Sequence, residues 1–321
     1  NGSVAEGSPF VGNTKLLNET DNLFEFANTY QYKSGTSVQT GSTANNPVLR
    51  TLQQRLDDRI SIRSFGASGD GTNQTAALQR AIDQLYLNSS NKGTTAARVE
   101  LILEAGEYTT TSTIYLPPYA TIRGAGPEKT IINSSAFPAF QTANETSTPG
   151  VYADDSTSTT LNQATNITIS DLTITTQSAT ALSLVSCKDS TFENLVLRGT
   201  FVLGAAPTPA TAINMTSLST AVSSNSNTFT NVKAEKFDTG VRSDNDIKDN
   251  RWTGCTFDTL RQGFAFGVDT VLGTGGMLTG PVNNNVFESK FDNIYTSAII
   301  VTNGSYNASK NNKYYNVGNH A

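Results

Sequence analysis

Residues 227–259 of this 321-residue chain read NTFTNVKAEKFDTGVRSDNDIKDNRWTGCTFDT, and two short motifs each occur twice within them. The first motif, Asn-x-aromatic, begins at Asn227, Asn250, Asn285 and Asn312, at spacings of 23, 35 and 27 residues. The second, Phe-Asp followed by Thr or Asn, begins at Phe237, Phe257 and Phe291. A smallest step of 23 residues, lengthened in places by insertions, predicts coils of parallel β-strand that stack about 4.8 Å apart.

The same step is present upstream, where residues 169–172 (ISDL) align with residues 192–195 (FENL), 23 residues later. Apolar positions of stacked coils point inward, so we expect Phe229, Trp252 and Phe287 to lie in the core. Asparagines at a fixed turn are expected to form a ladder of hydrogen bonds, and insertions to leave the stack as loops. Repeated hairpins of an antiparallel sandwich are an open alternative, although hairpin repeats are usually shorter and more even.

The first 59 residues differ from the rest of the chain. Residues 1–46 are polar and irregular, which predicts an arm or attachment segment with a linker. Over residues 47–59, apolar residues recur at helical spacing after a proline, which predicts a helical neck that buries its narrow apolar stripe against partner copies. The β-helix domain is expected over residues 60–321, with a second short helix from Thr75 to Leu87 covering one end of the stack.

Composition narrows the possible function classes. Charged residues are 15% of the chain and the net charge is −5 without a basic cluster, which argues against a mainly helical protein and against nucleic-acid binding. No apolar run reaches the ~18 residues of a membrane span. His320 is the one histidine, which argues against a Ser-His-Asp triad or a multi-histidine metal site. Cys187 and Cys255 are interpreted as buried thiols, and we expect neither a metal nor a cofactor.

Four stretches together resemble the pectate-lyase-like proteins, which are right-handed parallel β-helices. They are residues 61–71 (SIRSFGASGDG), 75–82 (TAALQRAI), 103–108 (LEAGEY) and 120–126 (ATIRGAG). The first is similar to the opening signature of that family and the second to its end-capping helix. The resemblance covers residues 56–321 and implies an all-β fold: a right-handed, single-stranded parallel β-helix with short N-terminal helices capping one end.

Residues 52–59 (LQQRLDDR) are similar to the neck that leads into this domain in bacteriophage tailspikes and tail fibres. This resemblance implies a virion protein of the phage tail: a homotrimer, joined to other tail or baseplate proteins through residues 1–59, that engages a host surface polysaccharide with or without cleaving it. Two alternatives stay open because secreted polysaccharidases share the opening signature. One is a secreted polysaccharide lyase or glycoside hydrolase outside a virion, and the other is a non-catalytic surface adhesin. The sequence stops at Ala321, directly after a repeat motif, so we expect a β-helix that is truncated at its C-terminal end.

We choose candidate site residues by their position in the repeat, because the sequence contains no recognisable catalytic motif of a polysaccharide hydrolase or lyase. Asp238 and Asp258 each follow Phe in the second motif, so we expect their carboxylates in neighbouring coils, near the ~5 Å separation of a retaining glycosidase. The alternative is that both accept backbone hydrogen bonds at turns. Arg242 and Arg261 are candidates for contact with an acidic glycan, and Tyr314 for stacking on a sugar. The alternatives are ordinary surface arginines and a core tyrosine.

Overall fold

The computed structural model describes residues 30–31, 49–50, 59–87, 99–152, 157–177, 179–243, 246–267, 281–301 and 304–318. The chain divides into two compact units, residues 1–60 and 61–321. In the first unit, strands β1 (Tyr30–Gln31) and β2 (Leu49–Arg50) pair antiparallel. The helix predicted over residues 47–59 is therefore absent at Leu49–Arg50, where pairing with β1 extends the backbone. Residues 51–58 of that neck, and most of the predicted arm, lie outside the described residues.

The second unit is built mainly from short strands. Their bounds in chain order are β3 (Ile60–Ser61), β4 (Asp70–Asn73), β5 (Leu101–Ile102), β6 (Gly106–Thr110), β7 (Ile114–Leu116), β8 (Thr121–Arg123), β9 (Thr130–Ser134), β10 (Phe140–Thr142), β11 (Thr168–Thr176), β12 (Leu182–Val185), β13 (Thr191–Arg198), β14 (Thr211–Thr216), β15 (Thr228–Thr230), β16 (Lys233–Glu235), β17 (Thr239–Ser243), β18 (Arg251–Thr253), β19 (Thr256–Phe266), β20 (Asn285–Phe287), β21 (Lys290–Val301), β22 (Ala308–Lys310) and β23 (Lys313–Val317). A 3-10 turn covers Ile62–Phe65, and the α-helix α1 (Thr75–Ile82) continues into a π-helical turn over Asp83–Leu87. Within the part of the chain that the structure describes, no helix has the length and apolar character to cross a bilayer.

Strands of the second unit pair with strands one coil away, and they pair in parallel. Ile169 pairs with Phe192 and Thr228 pairs with Arg251, each at a step of 23 residues. The remaining registered pairings between strands of this unit are parallel as well. The predicted parallel β-helix is confirmed, and a sandwich of hairpins is excluded because hairpin strands run in opposite directions.

Aromatic side chains stack on one another along the core. Phe192, Phe229 and Trp252 form a column with ring centroids 4.9 and 5.0 Å apart, and all three side chains are fully buried. Offset stacking of this kind contributes about 0.5–1.5 kcal/mol per pair beyond the burial of apolar area. The predicted core positions of Phe229 and Trp252 are confirmed.

Phe287, the third aromatic residue expected in that column, faces outward. Its neighbour Val286 is buried and continues the column, while Phe287 is half-buried and carries the Arg251 guanidinium 5.4 Å from its ring centroid. The prediction for Phe287 is wrong because the coil is displaced by one residue. Asn284, and not Asn285, stands at the turn position that the repeat requires.

Four asparagines form a hydrogen-bonded ladder at one turn of consecutive coils: Asn227, Asn250, Asn284 and Asn307. The Nδ2 of each of the first three donates to the Oδ1 of the next, over 2.9, 3.0 and 3.0 Å. The same Oδ1 atoms accept the backbone N–H of the preceding asparagine at 3.0, 3.2 and 2.9 Å. The predicted ladder is confirmed at these positions. Asn312 belongs to another turn, where its Oδ1 accepts a backbone N–H at 2.7 Å.

The helix α1 packs on the first coils, as predicted for an end cap. Its buried side chains are Ala77, Leu78, Ala81 and Ile82. The side chain of Gln79 takes the place of a neighbouring strand: its Oε1 accepts the N–H of Tyr115 at 2.7 Å, and its Nε2 donates to the Tyr115 carbonyl at 3.2 Å. This amide pairs backbone groups of β7 that a strand would otherwise have to satisfy.

Candidate functional site

Asp238 and Arg261 form a bidentate ion pair. The Nε and Nη2 of Arg261 lie 2.8 and 2.6 Å from the two carboxylate oxygens of Asp238, whose exposed fraction is 2%. The Oδ1 of Asp238 also accepts the backbone N–H of Thr208 at 3.1 Å, and so ties the segment before β14 to the next coil. The hydrogen-bonded carboxylate of Asp238 raises the pKa of Arg261. These two predicted site residues therefore bind each other.

Asp258 is not the counterpart of Asp238 in the neighbouring coil. It pairs with Glu235 on one side and with Asp292 on the other. Asp238 lies three residues beyond Glu235, in the bend between β16 and β17 and directly before Thr239. The expected placement of Asp238 and Asp258 at equivalent positions is wrong, because Phe257 and Asp258 lie within strand β19 whereas Phe237 and Asp238 lie in the bend after β16.

Glu235, Asp258 and Asp292 form an outward column of carboxylates, which we call the acidic column. They lie on consecutive coils, so equivalent atoms are about 4.8 Å apart. Glu235 forms ion pairs with Arg198 and with Lys233. Burial raises the pKa of Glu235, but the hydrogen bonds and charges of Lys233 and Arg198 outweigh burial and leave the pKa below its ordinary value.

The two later members of the acidic column differ in their partners. Asp292 accepts from the Lys290 ammonium at 2.8 Å, and this hydrogen bond raises the pKa of Lys290. The Oδ1 of Asp258 accepts from the Thr259 hydroxyl at 3.0 Å and from the Asn293 amide at 3.1 Å. Among the described residues, no basic side chain lies within 4.0 Å of the Asp258 carboxylate, which makes it the least neutralised of the three.

Tyr314 continues a second aromatic column of the core. Phe257 stacks on Phe291 at 5.1 Å, and Phe291 stacks on Tyr314 at 5.2 Å. The Tyr314 hydroxyl lies 2.9 Å from the Ser309 Oγ, and 48% of the Tyr314 surface is exposed because it belongs to the last described coil. Sugar stacking on this ring stays a prediction.

Arg242 belongs to a polar column on another outward face. The strand register aligns Tyr115, Gln141, Ser183, Asn214 and Arg242 on consecutive coils. Both chain neighbours of each of these residues are buried, so the alternation of a β-strand turns all five outward. We call this set the lateral column. Sequence reasoning identified only Arg242.

Side chains of the lateral column have unused hydrogen-bonding capacity. Gln141, Ser183 and Asn214 make no side-chain hydrogen bond with other described residues, while Arg242 already takes part in an interaction. Four coil spacings of about 4.8 Å give the column a length of ~19 Å. Amides, a hydroxyl, an aromatic ring and one guanidinium along an extended face are groups that bind a polyhydroxylated chain.

Among the described residues, the cysteines form no disulfide and the cysteines and carboxylates form no metal-binding cluster. Cys187 and Cys255 are buried and unbridged, and burial raises the pKa of the Cys255 thiol to about 12. No cluster of three or more His, Cys, Asp or Glu side chains in the described ranges is arranged to hold a metal ion.

A protein-family model described as "Rhamnogalacturonase A/epimerase, pectate lyase-like" matches residues 59–320. No curated protein matches the chain.

Several solved structures are similar to this chain at low sequence identity. ORF18 of Geobacillus virus E2 is 16% identical with a TM-score of 0.50, and the match covers 85% of this chain and 58% of that protein. The N-terminal fragment of bacteriophage phi29 gene product 12 is 15% identical with a TM-score of 0.46, covering 74% of this chain and 42% of the fragment. Tailspike protein 3 of bacteriophage CBA120 is 15% identical with a TM-score of 0.43, covering 89% of this chain and 47% of the tailspike. The chain thus spans about half the length of these structures.

Proposed function

Because the chain belongs to the rhamnogalacturonase A/epimerase, pectate lyase-like family, we propose that it binds a polysaccharide along the outer face of its β-helix. More specifically, we propose that the protein is a bacteriophage tailspike or tail fibre that engages a polysaccharide on the bacterial surface. Residues 1–59 then attach the protein to other tail or baseplate components, and the β-helix stands outward from the virion. The similarity of residues 52–59 to tailspike necks supports this placement.

One observation carries the binding proposal: the lateral column turns the unpaired amides of Gln141 and Asn214, both half-buried, to the outer face, with the buried Ser183 on the coil between them. The step of about 4.8 Å between coils is close to the length of one sugar residue in an extended chain. A polysaccharide that lies along the column meets one protein side chain per residue. Arg242 at one end suits an acidic substituent, while the half-buried amides of Gln141 and Asn214 suit neutral hydroxyls.

Binding of purified surface polysaccharides tests this proposal. We expect Asn214→Ala and Arg242→Ala to weaken binding by about 5- to 10-fold each, since a lost hydrogen bond to a charged or neutral group is worth about 1 kcal/mol or more. Arg251→Ala removes an arginine from a different outward face and is the matched control. Equal losses in the control and in the lateral-column variants would contradict the proposed surface.

The trimer is a separate part of the proposal. Sedimentation of the full chain is expected to give the mass of three copies. Leu52→Asp places a charge in the apolar stripe of the predicted neck and is expected to give monomers, whereas Gln53→Asp at the neighbouring position is the control. A monomeric wild-type chain would favour the secreted or adhesive alternatives.

The acidic column favours a second candidate function, cleavage of the polysaccharide by a secreted or virion-borne hydrolase. Glu235, Asp258 and Asp292 recur at the strand spacing, which is close to the ~5 Å between the two carboxyl groups of a retaining glycosidase. A hydrolase is expected to release reducing ends from a bound polysaccharide. Asp258→Asn should abolish this release, and the control Asp189→Asn, at another turn, should keep it. Binding without release would leave the protein a binding module.

A further inference from the structure

A cleft of about 530 Å³ lies between helix α1 and the coil that follows it. Its described lining is Asn73, Thr75, Ala76, Gln79, Thr111, Ser112, Thr113, Tyr115 and Tyr152. None of these described lining residues is an Asp, Glu, Lys, Arg or His. A volume of this size is large enough for one or two sugar rings.

Two tyrosines form one wall of the cleft. Tyr115 and Tyr152 stack with ring centroids 4.1 Å apart and an interplanar angle of 9°. The Tyr152 ring is held by its hydroxyl, which donates to the buried carboxylate of Asp83. Tyr115 is held by its stacking on Tyr152 and by the hydrogen bonds of its backbone to Gln79. Side chains fixed in this way lose little conformational freedom when a ligand binds.

Hydroxyl and amide groups also line the cleft. The Asn73 Nδ2 donates to the Thr111 hydroxyl at 3.2 Å, and the Thr75 hydroxyl donates to the Asn73 Oδ1 at 2.7 Å. The Ser112 hydroxyl makes no hydrogen bond with other described residues. A cleft that combines an aromatic wall with fixed polar groups matches a pyranose ring, which has apolar C–H faces and hydroxyls at its edge.

The chemistry of the lining selects among sugars. A carboxylate or phosphate on the ligand would find no cationic partner among the described lining residues and would lose its hydration in the cleft, which is costly. Uncharged hexoses and N-acetylhexosamines carry no such cost. Asp83, directly behind Tyr152 and Gln79, adds a reason to exclude anions.

We propose that this cleft is a subsite for an uncharged terminal sugar of a glycan whose chain continues along the lateral column. Tyr115 makes the connection, because it is both the first residue of the lateral column and part of the wall of the cleft. The continuation along the column rests on the proposed function, whereas the sugar specificity of the cleft rests on its own lining.

Saturation-transfer NMR on the full chain tests the subsite directly. The probes are methyl β-glucoside, methyl β-galactoside and N-acetylglucosamine, with glucuronate as the charged probe. We expect at least one uncharged probe to receive saturation on its ring C–H protons, and glucuronate to receive none. Tyr152→Ala is expected to weaken that binding about 2- to 10-fold through loss of the aromatic contact.

Two further variants separate loss of the site from loss of folding. Ala76→Phe fills the cleft from helix α1 without removing any bond and is expected to abolish the signal. Tyr306→Ala removes a tyrosine that is 85% exposed elsewhere and is expected to keep it. An unchanged signal in Ala76→Phe, no signal from any uncharged probe, or equal binding of glucuronate would overturn the subsite.

The same samples distinguish this inference from the proposed function. Polysaccharide binding that depends on Arg242 but not on Ala76 or Tyr152 would overturn the subsite and keep the lateral column. The opposite result is also possible: Ala76→Phe abolishes monosaccharide binding, while Arg242→Ala and Asn214→Ala leave polysaccharide binding unchanged. This result would keep the sugar site and overturn its continuation along the lateral column.

Discussion

The side chain of Asn250 is bonded to the side chain of Asn284 in the next coil, Nδ2 to Oδ1 over 3.0 Å, and the backbone N–H of Asn250 reaches the same oxygen at 3.2 Å. Both residues are fully buried. One amide therefore satisfies two donors of the preceding coil, and each asparagine of the ladder depends on its neighbour for full pairing.

Removal of one member of the ladder should be costly. In Asn250→Ala, the backbone N–H and the Nδ2 of Asn227 both lose their acceptor in the core. Each buried unsatisfied group costs about 1–3 kcal/mol, so we expect the free energy of unfolding to fall by roughly 2–5 kcal/mol in denaturant titrations. Asn285→Ala, at a half-buried outward position, is the control and should cost less than about 1 kcal/mol. Similar losses in both variants would contradict the role of the ladder.

Trp252 should tolerate phenylalanine far better than alanine. Its Nε1 is buried and makes no hydrogen bond with other described residues, so Trp252→Phe loses volume but no polar pairing and keeps the stack on Phe229. Trp252→Ala breaks the aromatic column and leaves a cavity, at a cost of about 3–5 kcal/mol. Denaturant unfolding of both variants checks the difference, and a phenylalanine variant as unstable as the alanine variant would show that the indole nitrogen is engaged.

The pair Asp238 and Arg261 should show strong coupling. Arg261→Ala leaves the Asp238 carboxylate buried with no counter-charge, and loss of one partner of such a pair costs about 3–5 kcal/mol. Asp238→Ala in the same background removes that unpaired charge. The double variant is therefore expected to be less destabilised than the sum of the single variants, in a double-mutant cycle measured by unfolding. Strict additivity would mean that the two side chains contribute independently.

Asp83 should make stability depend on pH. Burial raises its pKa above the ordinary 3.8, against the opposing hydrogen bonds of Tyr152 and Gln79. A group whose pKa is higher in the folded than in the unfolded state contributes its full stabilisation when the pH is below the unfolded-state pKa. This contribution is lost as the pH rises through the folded-state pKa. The stability of the wild type relative to Asp83→Asn is therefore expected to fall from about pH 3.8 upward. A relative stability that rises over that range would reverse the sign of the inferred shift.

The period of the fold could be predicted from the sequence because each coil repeats the same sequence of core and turn positions. The alignment of Ile169 with Phe192 is confirmed residue by residue. The alignment at Phe287 failed for a local reason: residues 283–285 are three asparagines in a row, and only the three-dimensional stack decides which one enters the ladder.

The site residues were harder to predict because their alignment depends on the lengths of the insertions. Ala234, and not Phe237, pairs with Phe257, so Asp258 lies in a strand whereas Asp238 lies in the bend before β17. Gln141, Ser183 and Asn214 are ordinary polar residues at intervals of 42 and 31, and nothing in the sequence marks them as neighbours. Only the pairing of β10, β12 and β14 brings them into one column.

Because the shortest coil has 23 residues, the length of the β-helix can change by whole coils. The coils at Asn227 and Asn250 meet through ladder contacts of the same kind as their neighbours. Duplication of residues 227–249 would therefore insert one more coil, and every other coil would keep the kind of neighbour that it already has. A duplication of any length that is not a whole coil would instead turn apolar positions toward water. Evolution can therefore lengthen this β-helix in steps of about 4.8 Å, without redesigning its other coils.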